Sequence, residues 1–246
     1  MLWCIDPIRK RMYSLFKFSN WKEVLDYDEI LSPEEKDLLR IFSFLCGRSN
    51  DMISYLGLYN IGWKSQSIIE MQDAGEFLVN LIEFLLNAKK SLLAPAFPTY
   101  REKNETHFLY LHASRTRPFL EQVLPDCRLL ALEPKYPGDP EYKLDVERVK
   151  LQRYIFIELN RGSEESADTE EVKRPENNIV AFIGEKYFIR SIGVRIGNHY
   201  VCCCYDKDTG GLTLYNDECK TVFEQSSNQG DKYIDRNSRL YLLEKL

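Results

Sequence analysis

Residues 196–217 commit this chain to a folded-back β-ribbon with a histidine at its mouth. Ile196-Gly197-Asn198 breaks one apolar run, and His199-Tyr200-Val201 starts another. The stretch Asp206-Lys207-Asp208-Thr209-Gly210-Gly211 supplies turn chemistry before a second short strand ending in Leu214-Tyr215-Asn216-Asp217. A fold-back about residues 208 and 209 sets Val201 opposite Asn216 and His199 opposite Glu218, so the imidazole has the Asn216-Asp217-Glu218 end within cross-strand reach. A histidine with a carboxylate or amide beside it is what a cysteine or serine nucleophile requires. One ring nitrogen takes the proton, and a side-chain oxygen holds the other in the right tautomer. The same pattern also describes a satisfied histidine in an ordinary hairpin. The ribbon becomes a site only if other segments agree with it.

At 246 residues the chain allows one large or two modest domains and can bury a full core. Hydrophobic residues at 44% and charged residues at 29% place it with globular rather than disordered proteins. A net charge of −5 gives no basic stripe for nucleic acid or an anionic membrane, so neither is expected as a partner. Charge interrupts every apolar stretch before the ~18 residues of a spanning helix, and no secretory signal pattern is present. The seven cysteines form an odd set without a C-x-x-C pair, which argues against a disulfide framework and a zinc ribbon. Cys202, Cys203 and Cys204 alternate between strand faces, so they cannot all reach one metal, and they suit small buried positions. No metal or cofactor is expected, and an intracellular compartment, cytoplasmic or nuclear, fits best.

The first half has helical patterning. Ser32-Pro33-Glu34-Glu35 is a helix start with Ser as N-cap and Glu35 closing a capping box. Leu38, Leu39, Phe42 and Leu45 then mark one face. A further helix is expected over 67–86, with Met71, Ala74, Leu78, Leu81, Ile82 and Leu85 as its stripe. From residue 95 onward strands are expected at 108–111, 154–159, 187–196, 199–205 and 240–243, with a helical piece at 118–123. The acidic stretch 162–178 is expected as a solvated loop. Helices followed by an antiparallel sheet make the class α+β.

Within the 67–86 helix, Gln72 and Glu76 are i,i+4 and Asp73 and Glu76 are i,i+3, so their polar ends share a face. An ordinary amphipathic helix showing its wet side would look the same. Two carboxylates on one ridge would also suit an extended basic peptide. Together with the ribbon, the segment Gln72-Asp73-Ala74-Gly75-Glu76-Phe77-Leu78 resembles the ubiquitin-specific protease (USP) family of cysteine deubiquitinases. That family carries a Gln-Asp-Ala-x-Glu-Phe-Leu helix, a Gly-His-Tyr strand start and a Phe-Asn/Asp-Asp strand end. Here the latter two stand as Asn198-His199-Tyr200 and Tyr215-Asn216-Asp217. Gly62-Trp63, the 155–161 strand ending Leu159-Asn160-Arg161, and Asn237-Ser238-Arg239-Leu240-Tyr241 are similar to further family segments in the same order, with Gly62-Trp63 as in the herpesvirus-associated branch.

The resemblance implies one papain-like, right-hand catalytic domain over 1–246. A helical thumb would cover 1–90, short metal-free fingers and connections 91–150, and an antiparallel β palm 151–246. It implies an intracellular thiol hydrolase that removes ubiquitin from protein conjugates, with ubiquitin and ubiquitinated proteins as partners and no cofactor. His199 would be the general base, Asn216 its orienter and Asp217 a neighbouring helper. Gln72, Asp73 and Glu76 would face the ubiquitin tail and its arginine, and Tyr200 would flank the terminal glycines. The family's Asn-Thr-Cys box, which carries the nucleophile, is absent from these 246 residues. Met1-Leu2-Trp3, Pro7-Ile8-Arg9-Lys10 and Tyr13 resemble what directly follows that box, so its cysteine is expected about eight residues before Met1. Cys4 would then stand further along the same helix, and the chain would be an N-terminally truncated form. Gly57-Leu58-Tyr59-Asn60-Ile61-Gly62-Trp63-Lys64-Ser65 imitates the box with Ser65 in the cysteine's place, but Gln72 stands only seven positions after Ser65, too close for the helices the family puts there. The alternative is a catalytically silent USP-like protein that binds ubiquitin or a scaffold partner.

Overall fold

The computed structural model describes residues 1, 4–6, 9–10, 32–45, 74–75, 77–78, 80–81, 108–113, 118–124, 127–129, 150, 152–159, 171–197, 199–216 and 228–246. The chain divides into two compact units, one over 2–104 and one made of Met1 and 105–246. The class is α+β.

In the first unit, helix α1 (Pro33–Leu45) begins at the expected place. Ser32 stands at the N-cap position, its carbonyl accepting the Lys36 N–H at 3.0 Å, and Pro33 occupies the first helical position, where a missing N–H costs nothing. Leu38 and Leu39 are buried, and Arg40 donates to Asp37 at 2.8 Å across an i,i+3 step. The described residues between 74 and 81 are helical, with Leu78 and Leu81 buried. Gln72, Asp73, Glu76, Met71, Ile82 and Leu85 lie outside the described residues.

The second unit is built on an eight-stranded sheet. Its elements are β1 (Phe108–Ala113), α2 (Leu120–Val123), β2 (Cys127–Leu129), β3 (Tyr154–Leu159), β4 (Ile179–Phe182), β5 (Glu185–Ile196), β6 (His199–Tyr205), β7 (Leu212–Tyr215), α3 (Asn228–Asn237) and β8 (Ser238–Lys245). The strand order is β2-β1-β3-β8-β5-β6-β7, with β4 beside β5 off that path. β1 and β3 run parallel and the other pairs antiparallel, so the sheet is mixed at one side. β1 and β2, within the 91–150 stretch, belong to this same sheet. Long β5 borrows two partners along one edge, β4 for 185–188 and β6 for 191–196, while β8 covers its other edge. The register against β8 shifts between Ile189, opposite Leu243, and Ser191, opposite Leu242, so Arg190 is the extra residue of a bulge. The extra residue resets the two-residue alternation, which is why Tyr187 and Ile189 share the core with Ile192 and Val194.

That core joins Ile155, Ile157, Tyr241, Leu243, Val201 and Cys203 to Leu120, Val123 and Leu124 around α2. Each such aliphatic side chain contributes about 1.5–3 kcal/mol on burial. Phe156, Leu240 and Leu242 are buried as well, so the central strands are covered on both faces and read as apolar runs. Glu244 is buried between the guanidinium groups of Arg153 at 3.2 Å and Arg190 at 3.4 Å. Among the described residues no helix is long and apolar enough to cross a membrane.

One expectation needs correction, and three elements go beyond what was expected. The 162–178 stretch is not a solvated loop throughout: its described end, 171–178, packs down with Val172 fully buried and the Arg174 side chain 5% exposed. The acidic run that suggested solvent stops at Glu171, and Arg174 finds its carboxylates about sixty residues away, beyond any local signal. Helix α3 and strands β2 and β4 were not expected. β2 and β4 are only three and four residues long, and α3 contains a glycine and few apolar positions.

Burial pushes the Tyr187 phenol up to about 12, with nearby Glu185 adding to it. Burial likewise pushes the Cys203 thiol up to about 12, aided by Cys202. For such acids the folded state holds its proton more tightly than the unfolded chain. The stability is complete below the unfolded values and is lost as pH rises towards 12. Thermal melts between pH 8 and 12 are therefore expected to fall from about pH 9 to 10 upward. Tyr187→Phe should flatten part of that fall, and an unchanged alkaline limb in the variant would show that Tyr187 does not contribute.

Candidate active site

The ribbon forms in the register its sequence dictates. β6 and β7 pair antiparallel with Cys202 opposite Tyr215, Cys203 opposite Leu214 and Tyr205 opposite Leu212. One step further the same register sets Val201 opposite Asn216. The turn between them is held by Asp206, whose carboxylate accepts the N–H groups of Asp208 at 2.9 Å and Thr209 at 2.8 Å. Those bonds, the Thr209 one first, hold the Asp206 carboxyl below its usual range. At the other end, Gly197 adopts φ 59° between β5 and β6, a conformation glycine takes without a side-chain penalty. This short connection places His199 opposite Ile196.

His199 and Asn216 meet at the mouth of the ribbon, with Nε2 of the imidazole 2.8 Å from Oδ1 of the amide, both half-buried. An amide oxygen only accepts, so Nε2 carries the hydrogen and donates it. The tautomer is thereby fixed with the lone pair on Nδ1. An imidazole so held can take a proton at Nδ1, and the amide oxygen steadies the charge that forms. Tyr200 is half-buried and, by strand alternation, projects from the face opposite His199, across from Arg195. Asp217 lies outside the described residues, as do Gln72, Asp73 and Glu76.

The cysteines of β6 do not complete the pair. Cys202 and Cys204 project from the face away from His199. Cys203 shares the His199 face but stands four residues along, about 13 Å away. It is packed into the core. Cys127 starts β2, five strands across the sheet and about 24 Å distant. Among the described residues no group of three or more His, Cys, Asp or Glu side chains is disposed to hold a metal ion.

At the far end of β6 lies a polar groove of about 950 Å³ that sequence reasoning missed, lined by Arg174, Asn178, Tyr205, Asp206, Asp231 and Asp235 among others. Arg174 donates to Asp231 at 3.0 Å, to Asp235 and to the Tyr205 hydroxyl, and it stacks 5.4 Å from the Tyr205 ring centre. Its charge is thus already matched inside the fold, and the groove wall is structural.

No protein-family model matches the chain. No curated protein matches it either. Among solved structures, the crystal structure of an essential yeast splicing factor is similar over 98% of this chain and 67% of its own, at 9% identity and a TM-score of 0.49. A likeness of that size carries no argument about what this chain does.

Proposed function

We propose that this chain is a ubiquitin-specific protease domain carrying the base side of its catalytic machinery. The reaction is thiol-dependent hydrolysis of the isopeptide bond after the C-terminal glycine of ubiquitin. The observation that carries the proposal is the 2.8 Å contact from His199 Nε2 to Asn216 Oδ1, which leaves Nδ1 as the base. In this reaction Nδ1 takes the thiol proton, the thiolate attacks the carbonyl, and the imidazolium returns the proton to the departing lysine amine. Asn216 holds the ring, and Asp217 assists beside it. Gln72, Asp73 and Glu76 receive the ubiquitin tail and its arginine, and Tyr200 flanks the terminal glycines. The architecture in this reading is the right hand: thumb over 1–90, reduced fingers over 91–150, palm over 151–246. The compartment is the cytoplasm or nucleus.

The nucleophile in this reading is the cysteine of the Asn-Thr-Cys box, which the 246 residues do not contain. One observation favours a second reading, a ubiquitin-binding protein that does not cleave: none of the three β6 cysteines stands within reach of the His199 ring. A ubiquitin probe with a C-terminal electrophile tests both. The 246-residue chain is expected to bind ubiquitin and to form no covalent adduct. Binding should weaken when Asp73 and Glu76 are changed to lysine. A His199-dependent adduct on any of the seven cysteines would overturn the placement of the nucleophile, and absence of ubiquitin binding would remove both readings. Codons upstream of Met1 separate the two: an in-frame Asn-Thr-Cys box favours the hydrolase, and a stop codon directly before Met1 in the transcript favours the binder.

A further inference from the structure

The face of β6 turned away from His199 carries its own chemistry. Cys202 and Cys204, two residues apart on one strand face, bring their Sγ atoms to 3.6 Å. Cys202 is half-buried. The Cys204 thiol beside it, with Ser191, holds Cys202 below the ordinary thiol range, although burial opposes the shift. Cys203, between them, is sealed in the core on the opposite face. The strand thus sets the half-buried thiol of Cys202 against the buried thiol of Cys204 and keeps the third thiol on the other face.

We propose that Cys202 and Cys204 form a reversible oxidation site that closes to a disulfide with hydroperoxides. The Cys202 thiolate attacks the peroxide: an S–O bond forms, the O–O bond breaks, and hydroxide leaves. The sulfur is oxidised by two electrons to a sulfenic acid, and the peroxide is reduced. The Cys204 thiol then attacks that sulfur. An S–S bond forms, the S–O bond breaks, and the hydroxyl departs as water with the Cys204 proton.

The closure acts on the fold. Residues two apart on a strand have Cα atoms about 6.7 Å apart, at the upper limit of what a disulfide spans and longer than its commonest span of about 5.5–6 Å. Closing the bond at its commonest span therefore draws β6 shorter. It cannot do so quietly, because Cys202 is paired with both Gly193 and Tyr215, and Cys204 with both Ser191 and Thr213. The slack must come from the register that leads to Asn216 and His199. Oxidation on one face is transmitted to the imidazole pair on the other.

The inference is independent of the deubiquitinase proposal and is tested without ubiquitin. The full chain is treated with one equivalent of hydrogen peroxide, alkylated and analysed by intact mass and peptide mapping. Against the untreated, alkylated control the expected product carries two fewer alkyl groups, and the unalkylated pair is lighter by about 2 Da, with the change confined to the peptide holding Cys202 and Cys204 and reversed by a thiol reductant. Cys204→Ser should replace the disulfide by a dimedone-trapped sulfenic acid on Cys202, and Cys202→Ser should abolish both products. Phenylarsine oxide, which bridges two close thiols, should protect both cysteines from alkylation, and either single variant should lose that protection. In the oxidised form, amide exchange in β6 and β7 should rise at least about tenfold, the signature of local opening. Alkylation of both cysteines after peroxide, or a disulfide from Cys202 to another partner, would overturn the site. Unchanged exchange would overturn the link to the ribbon.

Discussion

Arg174→Ala is expected to lower the stability of the 105–246 unit by about 3–5 kcal/mol, the scale of breaking a buried charge pair from one side. The Arg174 side chain is 5% exposed and ties the 171–178 segment to α3 through Asp231 and Asp235 and to the end of β6 through Tyr205. Burial works against its charge, yet Tyr205 and Asp235 more than offset that and hold the guanidinium above its ordinary value. Asp235 gains less: burial raises its carboxyl above the usual range even with Arg174 beside it, and Asp231 adds repulsion. Asp231, Asp235 and the Tyr205 hydroxyl all converge on this one guanidinium. Removing the cation strands Asp235, whose side chain is 11% exposed. Urea unfolding reads the cost, and Arg174→Met combined with Asp235→Leu should lose much less than the two single changes together. A cost under about 1 kcal/mol for Arg174→Ala would mean that water replaces the guanidinium at Asp235.

The second large effect concerns the imidazole pair. In a polypeptide that carries the family's Asn-Thr-Cys box ahead of Met1, His199→Ala is expected to reduce turnover of a ubiquitin C-terminal substrate on the order of a millionfold. Asn216→Ala should cost on the order of ten-thousandfold, the scales seen for the base and its orienter in a dissected hydrolytic triad. In the proposed reaction the base would move the proton, whereas Asn216 would only fix which nitrogen is available, through the 2.8 Å bond. Asn216→Asp keeps the acceptor and should restore most of the loss. Steady-state kcat with binding measured separately checks this. Equal losses for His199→Ala and for a distant control such as Tyr233→Ala would show that the ring takes no part.

Much of the sheet unit could be foreseen. β3 and β6 have their expected bounds, β1, β5 and β8 exceed theirs by a few residues, and β6 and β7 pair in the foreseen register. These strands declare themselves because their apolar runs are bounded by turn residues. The register of the ribbon follows from one turn whose Asp206, Thr209 and Gly210 specify where the chain reverses. The parallel pairing of β1 with β3 had no such signal, since it joins segments more than forty residues apart. The same is true of the split partnership of β5 and of the Arg174 junction, whose acids sit on a helix with weak apolar patterning.

By itself the sequence determined the ribbon: a short-range turn sets which residues face one another, so Asn216 beside His199 follows from local counting. Only the tertiary structure decided that Nε2 is the nitrogen engaged, that the Cys202 and Cys204 sulfurs stand 3.6 Å apart, and that Arg174 is sealed among distant carboxylates. The difference is physical. Turn geometry is paid for within a few residues of chain, whereas the depth of a side chain and its choice of partner depend on which remote segments pack against it.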